Sequence, residues 1–193
     1  IYDPIRARMV IHGGDNMTNR TEDIWTDTWT LALTGELAWT AIEAQPSPRN
    51  GHTAIYDPRR DRMLVFGGRA ERHYNDPRDD LPALSLPGTP AWAVVNAGPS
   101  PEMWTDHSAI YDPSGDRMVV FGETSGGLSE LWQLSLSGTP AWAPLSPAGT
   151  PPSGFSGRPV IYDALRDRML VLDGTSVFAL ALSGAAAWSE LSP

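Results

Sequence analysis

Acidic side chains recur in this sequence at a fixed spacing that could support metal binding. Pairs of aspartates four residues apart stand in similar turns, at Asp57 and Asp61, Asp112 and Asp116, and Asp163 and Asp167. Each turn supplies only two acids, flanked by arginines, whereas calcium requires six to eight converging oxygen ligands. We therefore expect these aspartates to accept backbone N–H bonds within turns, and we predict no metal site and no cofactor.

A second set of polar residues precedes a repeated tyrosine by four residues. It consists of His52, His107 and Arg158. If the segments that follow are strands around one axis, the three side chains would ring the mouth of a channel and could bind an anion or a carboxylate. The structural alternative, which we favour, is that each side chain bonds a carbonyl group of its own or the next repeat, because buried polar groups need partners.

Two hairpins, repeated four times along the chain, must position these residues. The first hairpin runs from a tyrosine to a methionine seven residues later, starting at Tyr2, Tyr56, Tyr111 and Tyr162. The second begins with an alternating Leu-x-Leu segment, turns at a glycine and ends at Trp39, Trp92, Trp142 and Trp188. Apolar residues at period two are typical of strands. Each repeat therefore predicts four short strands, A to D.

The repeat interval predicts an all-β fold of the β-propeller class. The tyrosines lie 54, 55 and 51 residues apart, which is typical of a propeller blade. A four-stranded sheet cannot bury both faces alone, so the repeats should pack face to face. A β-sandwich would not require the same positions to recur at this interval. Four blades either form part of a larger ring, which we favour, or close as a four-bladed ring.

The predicted blades occupy approximately residues 1–45, 51–98, 107–148 and 158–193, in one domain or a portion of one. Since the first repeat retains only the end of strand A, we expect a truncated inner strand in that blade.

Strand B resembles the kelch repeat. Residues 10–14 (VIHGG) and 64–68 (LVFGG) end in a glycine pair, and a Leu-x-Leu strand and a tryptophan follow. The later copies keep one glycine of the pair, and Pro82 replaces the aromatic that otherwise opens strand C. The segment Tyr-Asp-Pro-x-Arg-Asp-Arg-Met is also similar to kelch arrays of bacterial, often exported, proteins. That resemblance implies an extracellular or cell-envelope location.

Composition excludes several classes of function. The net charge of −9 opposes binding to nucleic acid or anionic lipid, which need clustered cations. The chain has no cysteine and therefore no disulfide, thiolate metal site or thiol nucleophile. The galactose oxidase branch of the kelch family uses a tyrosine crosslinked to cysteine, so the resemblance implies no such chemistry here. No run of about 18 apolar residues is present, and we predict no membrane insertion.

The connection between strands B and C is the part of the repeat that varies most. From the methionine of strand B to the start of strand C the distance falls from 20 to 19, 14 and 9 residues. Loops on a rigid scaffold commonly carry recognition residues. The two longest, 15–27 and 69–80, mix both charges with a large aromatic, which suits a protein or glycan contact. The binding candidates are Asp15, Arg20, Trp25, Arg72, His73 and Tyr74.

We predict a non-catalytic interaction module that recognises a protein or a surface glycan through these B–C loops. One alternative is a solvated loop without a partner. Another is a structural part of a larger propeller or assembly, which pairs with further blades or with a second copy. A hydrolase or isomerase is less favoured, because a single active site should break the repeat and no acid pair does.

The arginines that precede the repeated methionines are expected to serve structure. They are Arg8, Arg62, Arg117 and Arg168. An arginine repeated in register is suited to an ion pair with a repeated aspartate of the neighbouring blade. By the same reasoning, the four repeated tryptophans should be packing residues at the outer hairpins and not a stacking platform.

Overall fold

The computed structural model describes residues 1–16, 24–43, 46–70, 77–102, 106–123, 129–152 and 157–191. These residues form sixteen strands in four antiparallel sheets of four strands each, and within each sheet the strands follow the order of the chain. The predicted four blades of four strands are confirmed. The described part of the chain contains no helix with the length and hydropathy of a membrane span.

The four sheets lie within the four predicted blade ranges. The first two sheets contain β1 (Tyr2–Asp3), β2 (Arg8–His12), β3 (Thr28–Ala32) and β4 (Trp39–Ile42), then β5 (Thr53–Asp57), β6 (Arg62–Phe66), β7 (Pro82–Ser85) and β8 (Ala91–Val94). The last two contain β9 (Ser108–Asp112), β10 (Arg117–Glu123), β11 (Ser129–Ser135) and β12 (Ala141–Leu145), then β13 (Val160–Asp163), β14 (Arg168–Asp173), β15 (Ser176–Ala181) and β16 (Trp188–Leu191). With two residues, β1 is shorter than β5, β9 and β13, as expected of a truncated inner strand.

One row of side chains crosses every sheet at the same register. In the first sheet Tyr2 pairs with Met9, Met9 with Leu31, and Leu31 with Trp39. The corresponding rows are Tyr56, Met63, Leu84 and Trp92; Tyr111, Met118, Leu134 and Trp142; and Tyr162, Met169, Leu180 and Trp188. Since successive side chains of a strand alternate between faces, each row lies on one face of its sheet. We call it the methionine face, and the other the opposite face.

The chain divides into two compact units, Ile1–Val95 and Asn96–Pro193, with two blades each. In the first unit the opposite face of blade 1 packs on the methionine face of blade 2. Val10 and Ile42 of blade 1 form a core cluster with the blade 2 residues Met63, Val65, Leu84 and Leu86. Full burial of one such side chain stabilises a fold by roughly 1.5–3 kcal/mol, so this face-to-face contact holds the two sheets together. That all four blades belong to one domain stays a prediction.

The second unit repeats this packing with larger side chains. Ile110, Val119, Phe121 and Leu131 on the opposite face of blade 3 cluster with Met169, Val171, Leu180, Leu182 and Trp188 on the methionine face of blade 4. The rings of Phe121 and Trp188 lie 5.3 Å apart between centroids. The tryptophan of blade 4 is therefore a packing residue, whereas Trp39 at the same position of blade 1 is 49% exposed, so the prediction made for all four tryptophans does not hold in blade 1.

Candidate functional site

The first B–C loop is held at both ends by backbone hydrogen bonds. Asp15 and Ile24 form an antiparallel bridge, and the Trp25 amide donates to the Gly14 carbonyl over 2.9 Å. The Gly13 amide in turn donates to the Asp27 carbonyl over 3.0 Å. The side chain of Ile24 is buried, whereas Trp25 beside it leaves 48% of its surface in solvent. The loop therefore presents an aromatic ring next to a well-anchored base.

The second B–C loop has the same kind of base. Arg69 and Pro77 form an antiparallel bridge, and the Arg78 amide donates to the Gly68 carbonyl over 2.9 Å. Ala70 at its start is buried. Both loops thus leave from fixed positions beyond the glycines of strand B.

Asn50, in the linker between blades 1 and 2, joins the two loop bases. Its backbone exchanges two hydrogen bonds with Arg69, of 3.1 and 3.0 Å. Its side-chain amide donates to the Asp15 carboxylate, and its side-chain oxygen accepts from Arg69 Nε over 3.2 Å. Asn50 is itself buried. One side chain thereby contacts the first and the second loop at once.

Arg49, which precedes Asn50 in the linker, holds the linker in place through its side chain and its carbonyl group. Its side chain is completely buried, and Nη2 donates to both carboxylate oxygens of Asp80 over 3.0 and 2.9 Å. Nη1 donates to the Gly67 carbonyl over 3.2 Å, and the Arg49 carbonyl accepts from the Gly14 amide over 2.9 Å. A buried guanidinium with these partners is stable in place, whereas loss of the carboxylate would leave an unpaired buried charge.

His12 is the last residue of β2 and lies close to the same linker. Its Nδ1 is 3.0 Å from the Thr28 hydroxyl, and its ring lies 5.6 Å from His52 and 5.0 Å from Trp92 between centroids. Burial, and then the charge of Arg49, lowers the pKa of His12 to about 4. A neutral imidazole is therefore part of the packing between blades 1 and 2 at neutral pH.

The structure describes only part of the predicted loop set. Asp15 is half-buried and bonded to Asn50, and Trp25 is exposed. Arg20, Arg72, His73 and Tyr74 lie outside the described residues. Arg49, Asn50 and His12 were not singled out in the sequence. For His12 a signal existed, because the same position of strand B holds Phe66 and Phe121 in blades 2 and 3.

The three predicted channel-mouth residues lie in different units. His52, in the first unit, contacts the His12 ring. In the second unit His107 is buried and Arg158 pairs with the carboxylate of Asp173. The Arg158 carbonyl also accepts from the Ser108 hydroxyl over 2.7 Å. A ring formed by these residues stays a prediction.

Comparison with known protein families decides what kind of repeat this is. A family model described as the KLHDC2/KLHL20/DRC7 Kelch-repeats domain matches residues 3–180. The chain belongs to the kelch-repeat family.

Relatives and solved structures agree with the kelch assignment. The host cell factor homolog hcf-1 of Caenorhabditis elegans is 36% identical over 100 residues, which cover 45% of this chain and 13% of that protein. The structure of YjhT has a TM-score of 0.70 at 17% identity and covers 100% of this chain. This likeness shows the fold, a β-propeller of the kelch type. The chain spans 66% of the YjhT chain.

Two further solved structures share the fold at lower similarity. A fungal alcohol oxidase in complex with copper has a TM-score of 0.52 at 13% identity and covers 98% of this chain, which spans 52% of that chain. The Malassezia sympodialis allergen Mala s 1 has a TM-score of 0.57 at 12% identity and covers 97% of this chain, which spans 60% of that chain.

The kelch turns between strands A and B use their first aspartate to bind backbone amides. The amides of Arg6, Arg60, Ser114 and Leu165 donate to the carboxylates of Asp3, Asp57, Asp112 and Asp163 over 3.2, 3.3, 2.9 and 3.2 Å. The predicted backbone hydrogen bonds are therefore present at Asp57, Asp112 and Asp163, whereas the second aspartates of the pairs, Asp61, Asp116 and Asp167, accept tyrosine hydroxyls.

The prediction of blade-to-blade ion pairs by the repeated arginines was wrong. Each arginine binds the aspartate of its own hairpin, with Nε–O distances of 2.8, 2.9, 2.6 and 2.9 Å for Arg8 and Asp3, Arg62 and Asp57, Arg117 and Asp112, and Arg168 and Asp163. The physical reason is register, because each such pair stands directly opposite across the A–B ladder. Between blades, Arg8 and Arg117 reach carbonyl groups instead, those of Leu86 and Leu182, over 3.5 and 2.9 Å.

Proposed function

We propose that this chain is a non-catalytic protein-binding module and that its first two B–C loops form one recognition surface. The observation that carries the proposal is the position of Asn50, which bonds Asp15 at the base of the first loop and Arg69 at the base of the second. This common base fixes the described ends of the two loops to one another, which reduces the conformational freedom that would be lost when a partner contacts both loops.

The exposed ring of Trp25 supports recognition at this place. Tryptophan is enriched among the residues that contribute most to protein interfaces, since it brings a large area at a small entropy cost. Asp15 lies at the base of the same loop, and the sequences of both loops contain arginines and acids, so a surface that they form would carry mixed charge. Such a surface suits a partner whose contact surface is polar rather than predominantly apolar.

The proposal is tested with loop replacements that leave the anchored ends in place. Short Gly-Ser turns replace residues 17–23 and 71–76, so that Ile24, Arg69 and Asp80 keep their contacts. The matched control replaces residues 124–128, the B–C loop of blade 3. Partners are captured from extract, identified by mass spectrometry, and their dissociation constants measured with purified protein.

We expect the first two replacements, and Trp25→Ser, to weaken binding of the same partner by about tenfold or more, with no change for the control. Asn50→Ala, which separates the loop bases, should weaken it by a smaller factor. Equal binding by all variants, or equal loss in the control, would remove the first two B–C loops from consideration.

Glycan recognition is the second candidate, because an exposed tryptophan beside a carboxylate can stack on a sugar and accept its hydroxyl hydrogens. The same variants are applied to an array of immobilised glycans. Binding that depends on Trp25 and is competed by free sugar would assign the surface to glycans instead of proteins.

A further inference from the structure

A cavity of about 300 Å³ lies at the edge of blade 3 that adjoins blade 4. It is bordered by the first residues of β11, a strand that begins at Ser129 but pairs with β12 only from Leu131, opposite Leu145. Ser129 and Glu130 therefore have no partner in β12, and residues from both faces of β11 border the cavity at this free edge. The described lining residues all belong to blades 3 and 4 and the linker between them, within the second unit.

The floor of the cavity is apolar. Phe121, Leu131 and Trp188 line it and belong to the core cluster between the two blades, and the rings of Phe121 and Trp188 lie 5.3 Å apart between centroids. In the first unit His12 and Thr28 stand at the places of Phe121 and Leu131, and their side chains are within hydrogen-bond distance of each other. The apolar floor is therefore particular to the second unit, as is expected when one binding site interrupts a repeat.

The linker that follows β12 forms a second wall, which is fixed in place. The Ala148 amide donates to the Ala186 carbonyl over 3.0 Å, and the Ala148 carbonyl accepts from the Trp188 amide over 2.8 Å. Pro147 and Pro151, one on each side of this contact in the sequence, line the cavity. Because proline restricts the backbone and the hydrogen bonds hold the segment between them, a ligand would not have to order this wall.

The lining is rich in hydrogen-bond acceptors and contains one acid. Its described residues include three prolines, which offer a carbonyl group but no N–H, and no basic residue. The Glu130 carboxylate accepts from the Trp132 indole N–H over 2.8 Å, which holds it beside an aromatic ring. The arginines of the second unit pair with aspartates; they are Arg117, Arg158, Arg166 and Arg168. Among the described residues of this unit, Glu130 is therefore an acid without a basic partner.

We propose that this cavity binds a small organic cation, an ammonium or guanidinium group on a short aromatic stem. The stem packs on Phe121, Leu131 and Trp188. The cation lies beside the Glu130 carboxylate and the ring of Trp132, whose face attracts positive charge. The volume equals that of roughly ten water molecules in the liquid and is at the lower end for small-molecule pockets, which suits a single aromatic amine. The inference does not rest on the proposed function of the B–C loops.

An extended peptide that adds a strand to the blade fits this place less well. Pro144 stands opposite Trp132 in β12, and a proline supplies no N–H to a further strand at a free edge. The site is therefore assigned to a small molecule.

The test is a titration of the purified chain with three probes of similar shape, benzylamine, benzyl alcohol and benzoate, which are cationic, neutral and anionic at pH 7. The indole N–H signals of Trp132 and Trp188 in ¹H–¹⁵N NMR spectra report on the cavity. We expect benzylamine to shift them saturably, with a dissociation constant on the order of 1 mM. Benzyl alcohol should bind about tenfold more weakly, and benzoate should cause no shift.

Two variants and one control locate the site. Glu130→Gln keeps an oxygen that can accept from Trp132, and it should weaken benzylamine binding about tenfold without changing that of benzyl alcohol. Leu145→Trp fills the cavity and should abolish the binding of both probes. Glu190→Gln is the matched control, because it removes a carboxylate of the same unit that accepts from the Ser176 hydroxyl and does not line the cavity; it should bind as wild type.

The remaining outcomes overturn the proposal. A chain that shows no saturable shift with benzylamine has no such site, and undiminished binding in Leu145→Trp places the probe elsewhere. Equal affinities for benzylamine and benzyl alcohol overturn the assignment to a cation. Equal weakening by Glu130→Gln and Glu190→Gln would show attraction to the overall negative charge and overturn the role of Glu130.

Discussion

Arg6 of the first blade and Asp61 of the second form a two-pronged ion pair, with N–O distances of 3.1 and 2.6 Å. Arg6 also binds Asp3 of its own turn over 3.0 Å. The hydrogen bonds from Arg6, more than any other contact, hold the pKa of Asp61 below its usual range. Two neighbouring turns are thereby joined by charge, in addition to the apolar contact between their sheets.

We expect Arg6→Gln to destabilise the chain by roughly 1 kcal/mol at pH 7, because the pair is only partly exposed and its geometry is bidentate. Since a carboxylate with a lowered pKa contributes its stability above its ordinary pKa, the difference from wild type should shrink as the pH falls below about 4. Urea unfolding at several pH values measures it. The control is Arg166→Gln, at the same place in blade 4, where the side chain is 62% exposed; an equal effect there would contradict the prediction.

The hairpins could be predicted from the sequence because their lengths never change, and the row from Tyr2 to Trp39 follows from spacing alone. The partners of Arg8 and its counterparts were predicted wrongly although the same register determines them, since an antiparallel pairing of Tyr2 with Met9 places Asp3 opposite Arg8. Arg49 and Asn50 were missed because they lie in a linker where the repeat is weakest. Trp39 and Trp188 have the same place in the repeat, so only the structure shows that Trp39 on the methionine face of blade 1 is exposed and that Trp188 on the methionine face of blade 4 is buried.

His12 predicts a pH dependence of stability. Its pKa is about 4 in the folded chain and about 6.5 when unfolded. The unfolded chain therefore binds more protons between these values, and stability should fall as the pH drops from 6.5 to 4, by about 3 kcal/mol in total. Thermal unfolding at pH 7 and pH 5, followed by circular dichroism, measures the loss.

The control for His12 comes from the repeat. His12→Phe introduces the residue found at the same position in blades 2 and 3, Phe66 and Phe121, and it removes the titrating ring. The difference between pH 7 and pH 5 should then become smaller than in wild type, whatever the absolute stability of the variant. An unchanged difference would show that another group is responsible.

Gly68, at the base of the second B–C loop, should not tolerate a side chain. Its φ is +85°, and a Cβ there would lie 2.6 Å from the Asn50 carbonyl oxygen and 2.9 Å from His52 Cβ. Gly35 provides a matched control, because its φ is +74° and nothing lies within 4 Å of a Cβ. Gly35→Ala should cost about 1–2 kcal/mol for the left-handed backbone, and Gly68→Ala a further 1–3 kcal/mol for the overlap. Equal losses of unfolding free energy in the two variants, measured with urea, would show that the linker containing Asn50 and His52 adjusts to the added Cβ at little cost.

The tyrosine of strand A is bound to the second aspartate of its turn in three blades. The hydroxyls of Tyr56, Tyr111 and Tyr162 donate to Asp61, Asp116 and Asp167 over 3.0, 2.9 and 2.9 Å. These aspartates have φ near +46° to +48°, so the hydrogen bond helps to hold a backbone conformation that a side chain disfavours. Blade 1 has Ala7 at this position, and Tyr2 has no such carboxylate beside it.

This difference makes Tyr2 an internal control for the other tyrosines. Tyr111→Phe should lower the free energy of unfolding by about 1–2 kcal/mol, since it removes a hydrogen bond to a charged group. Tyr2→Phe should change it by less than about 0.5 kcal/mol, as is usual for an exposed site. Both are measured by urea unfolding at pH 7. If the two variants lose the same stability, the phenol contributes through solvation or packing, and its bond to the aspartate does not stabilise the turn.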